Sequence, residues 1–365
     1  MKIAFYASSI LSSYWNGAAT YYRGLVKALA HLGHEVTFFE PDAFGRQERA
    51  DMEPPDWCKV VVYPADAAGV GAAAARAAEA EVVVKASGVG VFDDELLDAV
   101  MAAASERTVK IWWDVDAPAT LAEIEQDAEA PLRRMLPRLD AVLTYGGGPS
   151  VVEAYRTLGA RHCEPVYNAL DPETHHRVPA EPRYAADLAF LGNRLPDREA
   201  RVGEFFLKPA ASAPDLNFLL GGAGWESVAL PENVRALGHV PTADHNAFNA
   251  SPRAVLNINR DSMAQRGFSP PTRIFEAAGA AACVITDAWP GLDTFLEAGR
   301  EVLVVRDGKD VLACLSELDR ERATAIGQAA LRRLLESHTY VHRAEQVDIM
   351  LKKLSALRAE RSAVQ

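Results

Sequence analysis

Residues 266–286, RGFSPPTRIFEAAGAAACVIT, gather two hydroxyls, a guanidinium and a carboxylate around an expected helix start. Ser269 is a good N-cap, Pro270 fits the first helical position, and Ile274, Phe275 and Ala278 fall on the inward side. Pro270 and Pro271 carry no N–H, so the amide donors at this end reduce to those of Ser269, Thr272 and Arg273. They sit with the hydroxyls of Ser269 and Thr272 and the Arg273 guanidinium at the positive end of a helix dipole. Glu276 follows Thr272 by one turn on the same face. Such a corner suits a nucleoside diphosphate, with phosphates on the helix terminus and ribose hydroxyls on the carboxylate. A capped core helix carrying an Arg273–Glu276 surface pair is the plainer alternative, and the residues alone leave both open.

Other candidates follow other expected strands. Trp112-Trp113-Asp114-Val115-Asp116-Ala117-Pro118 ends a strand with two carboxylates expected exposed at a cleft edge, on the same side if the strand persists. Either Asp114 or Asp116 could serve as a general base on an acceptor hydroxyl or orient a donor sugar; a capped loop before Pro118 is the alternative. Leu191-Gly192-Asn193-Arg194-Leu195-Pro196-Asp197-Arg198 brackets a helix start with two arginines, a possible diphosphate clamp unless Asp197 and Arg198 form a surface pair. Gly222, in the run Gly221–Trp225, and Gly238-His239-Val240 could sandwich a base through backbone groups. Asn257, Asn259 and Arg260 end another strand aimed at the same place. In the first half, the turn Tyr14–Thr20 with Gly17 could admit a phosphate or a sugar face. Tyr145–Ser150, with three glycines, reads equally as an acceptor edge or a flexible connector.

Several patterns argue for nothing. Gly69-x-Gly71-x-x-Ala74 begins too far past its strand for a dinucleotide turn, and Gly88-x-Gly90 lacks a third glycine. His175 and His176 have no matching cysteine or carboxylate spacing and read as solvated, so no metal site is expected.

The elements that must position these residues alternate short apolar runs with alanine-rich helical segments, the α/β pattern of parallel sheets. Strands are expected near Lys2–Ala7, Glu35–Glu40, Lys59–Tyr63, Glu81–Lys85, Thr108–Asp114, Ala141–Tyr145 and Cys163–Asn168. A second series runs near Asp187–Leu191, Asn217–Gly221, Arg235–Leu237, Val255–Ile258, Cys283–Thr286 and Val302–Val305. Asp171–Arg183, with three prolines and no periodicity, reads as an interdomain linker. The expected division is an N-terminal domain over 1–168, a linker over 169–184, a C-terminal domain over 185–338, and a long amphipathic helix in 339–365. Doubly wound sheets bind ligands at the carboxyl ends of their strands, which directs attention to the turns named above.

At 365 residues two domains are the natural prior, and 49% hydrophobic with 24% charged residues are globular values. The net charge of −12 argues against nucleic acid or an anionic membrane as partner. Through Glu164 the count is 15 Lys+Arg against 24 Asp+Glu, so no basic stripe exists there. Four scattered cysteines read as reduced thiols, and no apolar run reaches membrane-spanning length or signal-peptide form, so a soluble cytoplasmic protein is expected.

The second half resembles the CgeB-like branch of the GT-B glycosyltransferases, of the glycosyl transferases group 1 type. The resemblance is carried by LAFLGNRLPDREARVGEFF at 188–206, GHV at 238–240, SPPTRIFEAAGAAACVITDAWPGLDTFLEAGREVLVV at 269–305 and HTYVHRA at 338–344. It implies two Rossmann-like domains facing a cleft, with the acceptor on the N-terminal domain and a nucleotide-sugar on the C-terminal one. The final helix would cross back to the N-terminal domain. By similarity Glu276 holds the donor ribose, Arg194 and Arg198 meet the diphosphate, and no metal cofactor is needed. The expected donor is a UDP-sugar, and the acceptor is a glycan, small molecule or protein. One departure stands out. Retaining relatives carry a second acid eight positions before the ribose glutamate, where this chain has Phe268. Two other readings on the same scaffold are a nucleotide-sugar epimerase or hydrolase, and a non-catalytic nucleotide- or sugar-binding protein of coat or envelope assembly.

Overall fold

The computed structural model describes residues 1–363 except 15, 261–263, 265 and 266, so Trp15 of the first glycine turn and Arg266 at the head of the phosphate corner lie outside the described residues. The chain forms two compact units. One comprises Met1–Tyr167 and Tyr340–Gln365, the other Asn168–Thr339.

The first unit is built on seven parallel strands: β1 (Lys2–Tyr6), β2 (Glu35–Asp42), β3 (Lys59–Pro64), β4 (Val82–Ala86), β5 (Val109–Asp114), β6 (Ala141–Thr144) and β7 (Cys163–Pro165). Their order in the sheet is β3-β2-β1-β4-β5-β6-β7. Helices α1 (Ala19–His31), α2 (Ala67–Ala75), α3 (Asp93–Ala103), α4 (Ala117–Gln126), α5 (Pro131–Met135) and α6 (Pro149–Thr157) supply the connections. Every residue of β4, Val-Val-Val-Lys-Ala, is buried, as a strand covered on both faces requires. α4 and α5 occupy a stretch between β5 and β6 for which sequence reasoning named no element. Asp116 and Pro118, taken there as turn residues, sit at the N-cap and the first turn of α4, where proline's missing N–H leaves no helical bond unmade.

The second unit carries a six-stranded parallel sheet of order β10-β9-β8-β11-β12-β13. Its strands are β8 (Leu188–Leu191), β9 (Phe218–Gly221), β10 (Val234–Gly238), β11 (Ala254–Asn257), β12 (Val284–Asp287) and β13 (Leu303–Val305). Helices α7 (Pro196–Val202), α8 (Lys208–Ser212), α9 (His245–Ala250), α10 (Thr272–Gly279), α11 (Gly308–Glu317) and α12 (Arg320–Ser337) complete it. The stretch expected as a linker is part of this body. Leu170 and His175 are buried, and a Cβ on Gly279 would lie 2.5 Å from Leu170 Cδ1 and 2.9 Å from the His175 carbonyl oxygen. Asn246 fastens the same stretch, donating to Thr174 O at 2.9 Å and accepting from His176 N–H at 3.3 Å.

The last helix, α13 (Tyr340–Ala363), belongs to the first unit, as its expected return to that domain requires. Tyr340, Ala344, Val347 and Leu351 recur at helical spacing and are all buried. Tyr340 packs edge-on against Tyr21, and its ring fills the place where Gly24 has no side chain. Polar contacts extend the seam: Arg343 Nε donates to Tyr167 O, Gln346 Nε2 to Glu164 and Pro165 O, and Arg358 Nε to both oxygens of Asp140.

Candidate functional site

In each sheet the strand order reverses direction at one point, between β1 and β4 in the first unit and between β8 and β11 in the second. Crevices outside the strand ends at such points are where open α/β sheets take ligands.

At the first of these, one of the two carboxylates read as chemistry is already satisfied. Asp114 is fully buried and accepts from Ser87 Oγ at 2.9 Å, Thr120 Oγ1 at 3.0 Å, the Asp116 N–H at 2.9 Å and the Tyr155 hydroxyl. Burial pushes its pKa up, while those four donors pull it down. This corrects the expectation of an exposed pair on one side of a strand. Once α4 starts at Ala117, Asp114 turns inward as the acceptor that ties β5 to α4 and α6, and only Asp116 remains exposed. Gly17 is exposed in the turn after β1, and a Cβ there would meet nothing within 4 Å.

The second crevice is different. α10 begins at Thr272 with Pro271 at its N-cap and no side-chain cap; Ser269, expected to cap it, instead donates its hydroxyl to Gly267 O at 3.2 Å. Two consecutive prolines hold the chain extended for one residue longer than a serine cap would need. Ile274 N–H closes a turn onto Pro271 O, which leaves the Thr272 and Arg273 amides at the open end. Glu276 stands one turn behind, half-buried.

Two guanidinium groups converge here. A Cβ on Gly192 would lie 2.9 Å from Arg198 Nη2 and 3.2 Å from Arg273 Nη2. Both guanidiniums lie over the ring of Phe190, at 5.6 and 5.1 Å from its centre. Arg198 donates to Asn193 O at 2.6 Å, its Nε has no partner, and among the described residues neither arginine has a carboxylate within salt-bridge distance. Burial, then the neighbouring Arg198, pull the Arg273 pKa down to about 9, with Glu276 opposing them. A guanidinium keeps its proton in proteins, so the shift expresses the cost of setting two like charges side by side in a partly dry place.

The remaining expected donor residues divide. Arg194 faces away, paired with Glu199 at 2.7 Å and bonded to Ser227 Oγ at 3.1 Å, and Arg260 pairs with Asp197 at 2.5 Å on the surface. These short-range partners take both arginines out of the free cationic set. Gly222 is structural. Its φ is +119°, and a Cβ would sit 2.2 Å from Gly192 O, so it lets β9 pass close under the Arg198 loop. His239 is exposed and Val240 buried. Asn259 is buried with both side-chain polar atoms unpartnered, while its N–H donates to Asp287, the carboxylate that Arg201 pairs with at 2.5 Å. Phe268, at a φ of +48°, lies against Gly291.

Sequence reasoning missed one group. His175 and Glu276 approach to 4.0 Å, and His245 at the start of α9 completes a trio whose ligand atoms all lie within 4.8 Å of one another. His175 is 5% exposed, which corrects its reading as solvated. The three are separated by 70 and 31 positions, so no spacing rule reveals them.

Residues 198–348 match the family model described as Glycosyl transferase-like. That span holds Arg198, Arg273, Glu276 and the histidine at 245. No curated protein matches the chain in sequence. Among solved structures, HepE from Anabaena in complex with UDP and glucose superposes with a TM-score of 0.67 at 15% identity, over 97% of this chain and 100% of that one. Sucrose-phosphate synthase from Thermosynechococcus elongatus gives 0.69 at 14% identity, over 98% and 100%. A glycosyltransferase involved in avilamycin A biosynthesis gives 0.60 at 17%, over 98% of each chain. These likenesses establish the GT-B fold, two Rossmann-like domains, and the family model covers most of the second unit and the start of α13.

Proposed function

We propose that the protein is a glycosyltransferase that binds a nucleotide-sugar, expected to be a UDP-sugar, in the crevice of its second unit. The observation that carries this is the Arg198–Arg273 pair: two cations with no carboxylate at salt-bridge distance among the described residues, set beside the open amino end of α10 with Glu276 one turn behind. Leaving two guanidiniums unneutralised is costly unless an anion completes the site, and a diphosphate supplies both charge and acceptor oxygens. Glu276 then takes the ribose hydroxyls, and Asn259, whose amide has no other partner, takes a hydroxyl of the sugar.

In the transfer, the acceptor oxygen bonds to the anomeric carbon while the bond from that carbon to the diphosphate breaks, its electron pair staying on the phosphate. Arg198, Arg273 and the α10 amides stabilise the charge that develops there, so the step needs no resident metal. The acceptor hydroxyl gives up its proton to a base as the new bond forms. An aromatic ring at Phe268 removes the usual acidic contact to the sugar, which favours a donor recognised chiefly through its nucleotide.

The test is a thermal-shift and calorimetric panel of UDP, GDP and dTDP with their sugars. A ligand present at about 100 times its Kd adds about 2.7 kcal/mol of stability. Stabilisation by one nucleotide series, followed by sugar transfer to an acceptor library, is the expected result. Release of free UDP and an altered sugar with no acceptor present would instead indicate the epimerase or hydrolase chemistry. No stabilisation by any nucleotide overturns the proposal.

A further inference from the structure

We propose that His175, His245 and Glu276 form a three-ligand site for a zinc-class divalent cation, and that this cation and the nucleotide exclude one another. The exclusion rests on the donor reading above; the site itself does not. Three parts of the second unit meet here: the stretch before β8, the first residue of α9 and the middle of α10. His175 Nε2 lies 4.0 Å from Glu276 Oε1, and the ligand atoms of all three residues fall within 4.8 Å of one another. Zinc bonds of about 2.0–2.1 Å in tetrahedral geometry put donor atoms roughly 3.3 Å apart, so small side-chain rotations close the set. Two imidazoles and one carboxylate with a fourth position open is a ligand set that zinc centres use.

The surroundings prepare the ligands. His245 Nε2 lies 3.2 Å from the Val240 carbonyl oxygen, which can only accept, so Nε2 holds the proton and Nδ1 keeps the lone pair. Metal-bound imidazoles are oriented by such a bond from their other nitrogen. His175 is held by packing: Gly279 has no side chain where a Cβ would lie 2.9 Å from the His175 carbonyl oxygen and 3.2 Å from its Cβ. Arg273, on the same helix, opposes any cation by charge. The site should therefore prefer imidazole-seeking zinc, cobalt and nickel over magnesium and calcium. Glu276 cannot serve a metal and a ribose at once.

The experiment titrates cobalt(II) into the full-length, chelator-treated protein without nucleotide. One equivalent should bind with the visible spectrum of tetrahedral cobalt and be displaced by zinc. His175→Ala, His245→Asn and Glu276→Gln should each weaken cobalt at least tenfold, with thermal melting checking that each variant folds; the wild-type stoichiometry needs no variant at all. In a second arm, saturating zinc should raise the UDP Kd, and UDP should raise the zinc Kd by the same factor. Absence of one-equivalent cobalt binding, or an unchanged spectrum in the folded histidine variants, overturns the site. Cobalt binding with unaltered UDP affinity overturns the exclusion. If zinc-free protein binds no UDP, the donor reading and the exclusion fall together, while the cobalt arm still decides the site.

Discussion

The two sheets share a topology, yet their corresponding crevices have opposite electrostatics. In the first unit Asp114 is saturated by four donors, and buried Glu40 accepts from Ser9, from the Ile10 N–H and from Gln47. Buried Lys85 likewise donates to Ala86 O and Asp93. In the second unit, among the described residues, Arg198 Nε and both side-chain polar atoms of Asn259 are buried without a hydrogen-bond partner, and Arg198 and Arg273 have no carboxylate at salt-bridge distance. Residue type alone does not distinguish these cases. What separates a scaffold carboxylate from a site cation is whether the fold has already answered its hydrogen bonds, and a buried group left unanswered costs stability that a ligand can restore.

The sharpest way to break this comparison is Asp114→Ala. It strands two hydroxyl groups, a phenol and an amide, and should cost on the order of 3–5 kcal/mol of stability while leaving UDP affinity unchanged in the folded fraction. Denaturant unfolding with parallel calorimetry checks both halves; a nucleotide-specific loss would show the first crevice to be donor chemistry after all. Arg273→Ala should behave in reverse. Loss of charge-assisted bonds to phosphate, about 1.5–3 kcal/mol, raises the UDP Kd roughly 10- to 100-fold, while the melting temperature holds or rises because an unneutralised cation is gone. Unchanged UDP binding in that variant would remove the main support for the donor site.

Arg194→Ala sharpens the contrast from the same loop. Its solvent-screened pair with Glu199 contributes little, so the melting temperature should hold and UDP affinity should stay within a few-fold of the parent. The smallest effect is on pH dependence. Burial raises the Asp114 pKa above its ordinary value, so the folded state favours the protonated acid. The stability this gives is complete below the unfolded pKa and is lost as pH rises through the folded one. Asp114→Asn should therefore flatten the decline of melting temperature as pH rises above the ordinary aspartate range, and an unaltered profile would contradict that assignment.

Much of this was legible before the structure. Parallel strands buried on both faces read as uninterrupted apolar runs, and each expected strand has a counterpart within a residue or two, except the one begun at Cys163, which ends three residues early at Pro165. α4 stayed hidden because Asp116 and Pro118 signal a turn as readily as a helix start. At the site, the Thr272–Glu276 corner was visible because its parts are neighbours in sequence. Arg194 and Arg198 were indistinguishable there, since only the fold sets Glu199 and Ser227 beside one and Phe190 beneath the other. The convergence of His175 and His245 on Glu276 depends on long-range packing around Gly279, which leaves no local trace.

The return of α13 to the first unit has a consequence for how the protein is made. The ribosome releases the whole second unit before it releases Tyr340, so the half begun first is finished last. Until then the Tyr21 and Gly24 face of α1 waits uncovered. The later half thus has a head start in folding, the reverse of the usual order in which amino-terminal domains fold first during synthesis. Nascent chains arrested before Tyr340 should resist protease across residues 168–339 and be cut within residues 1–167.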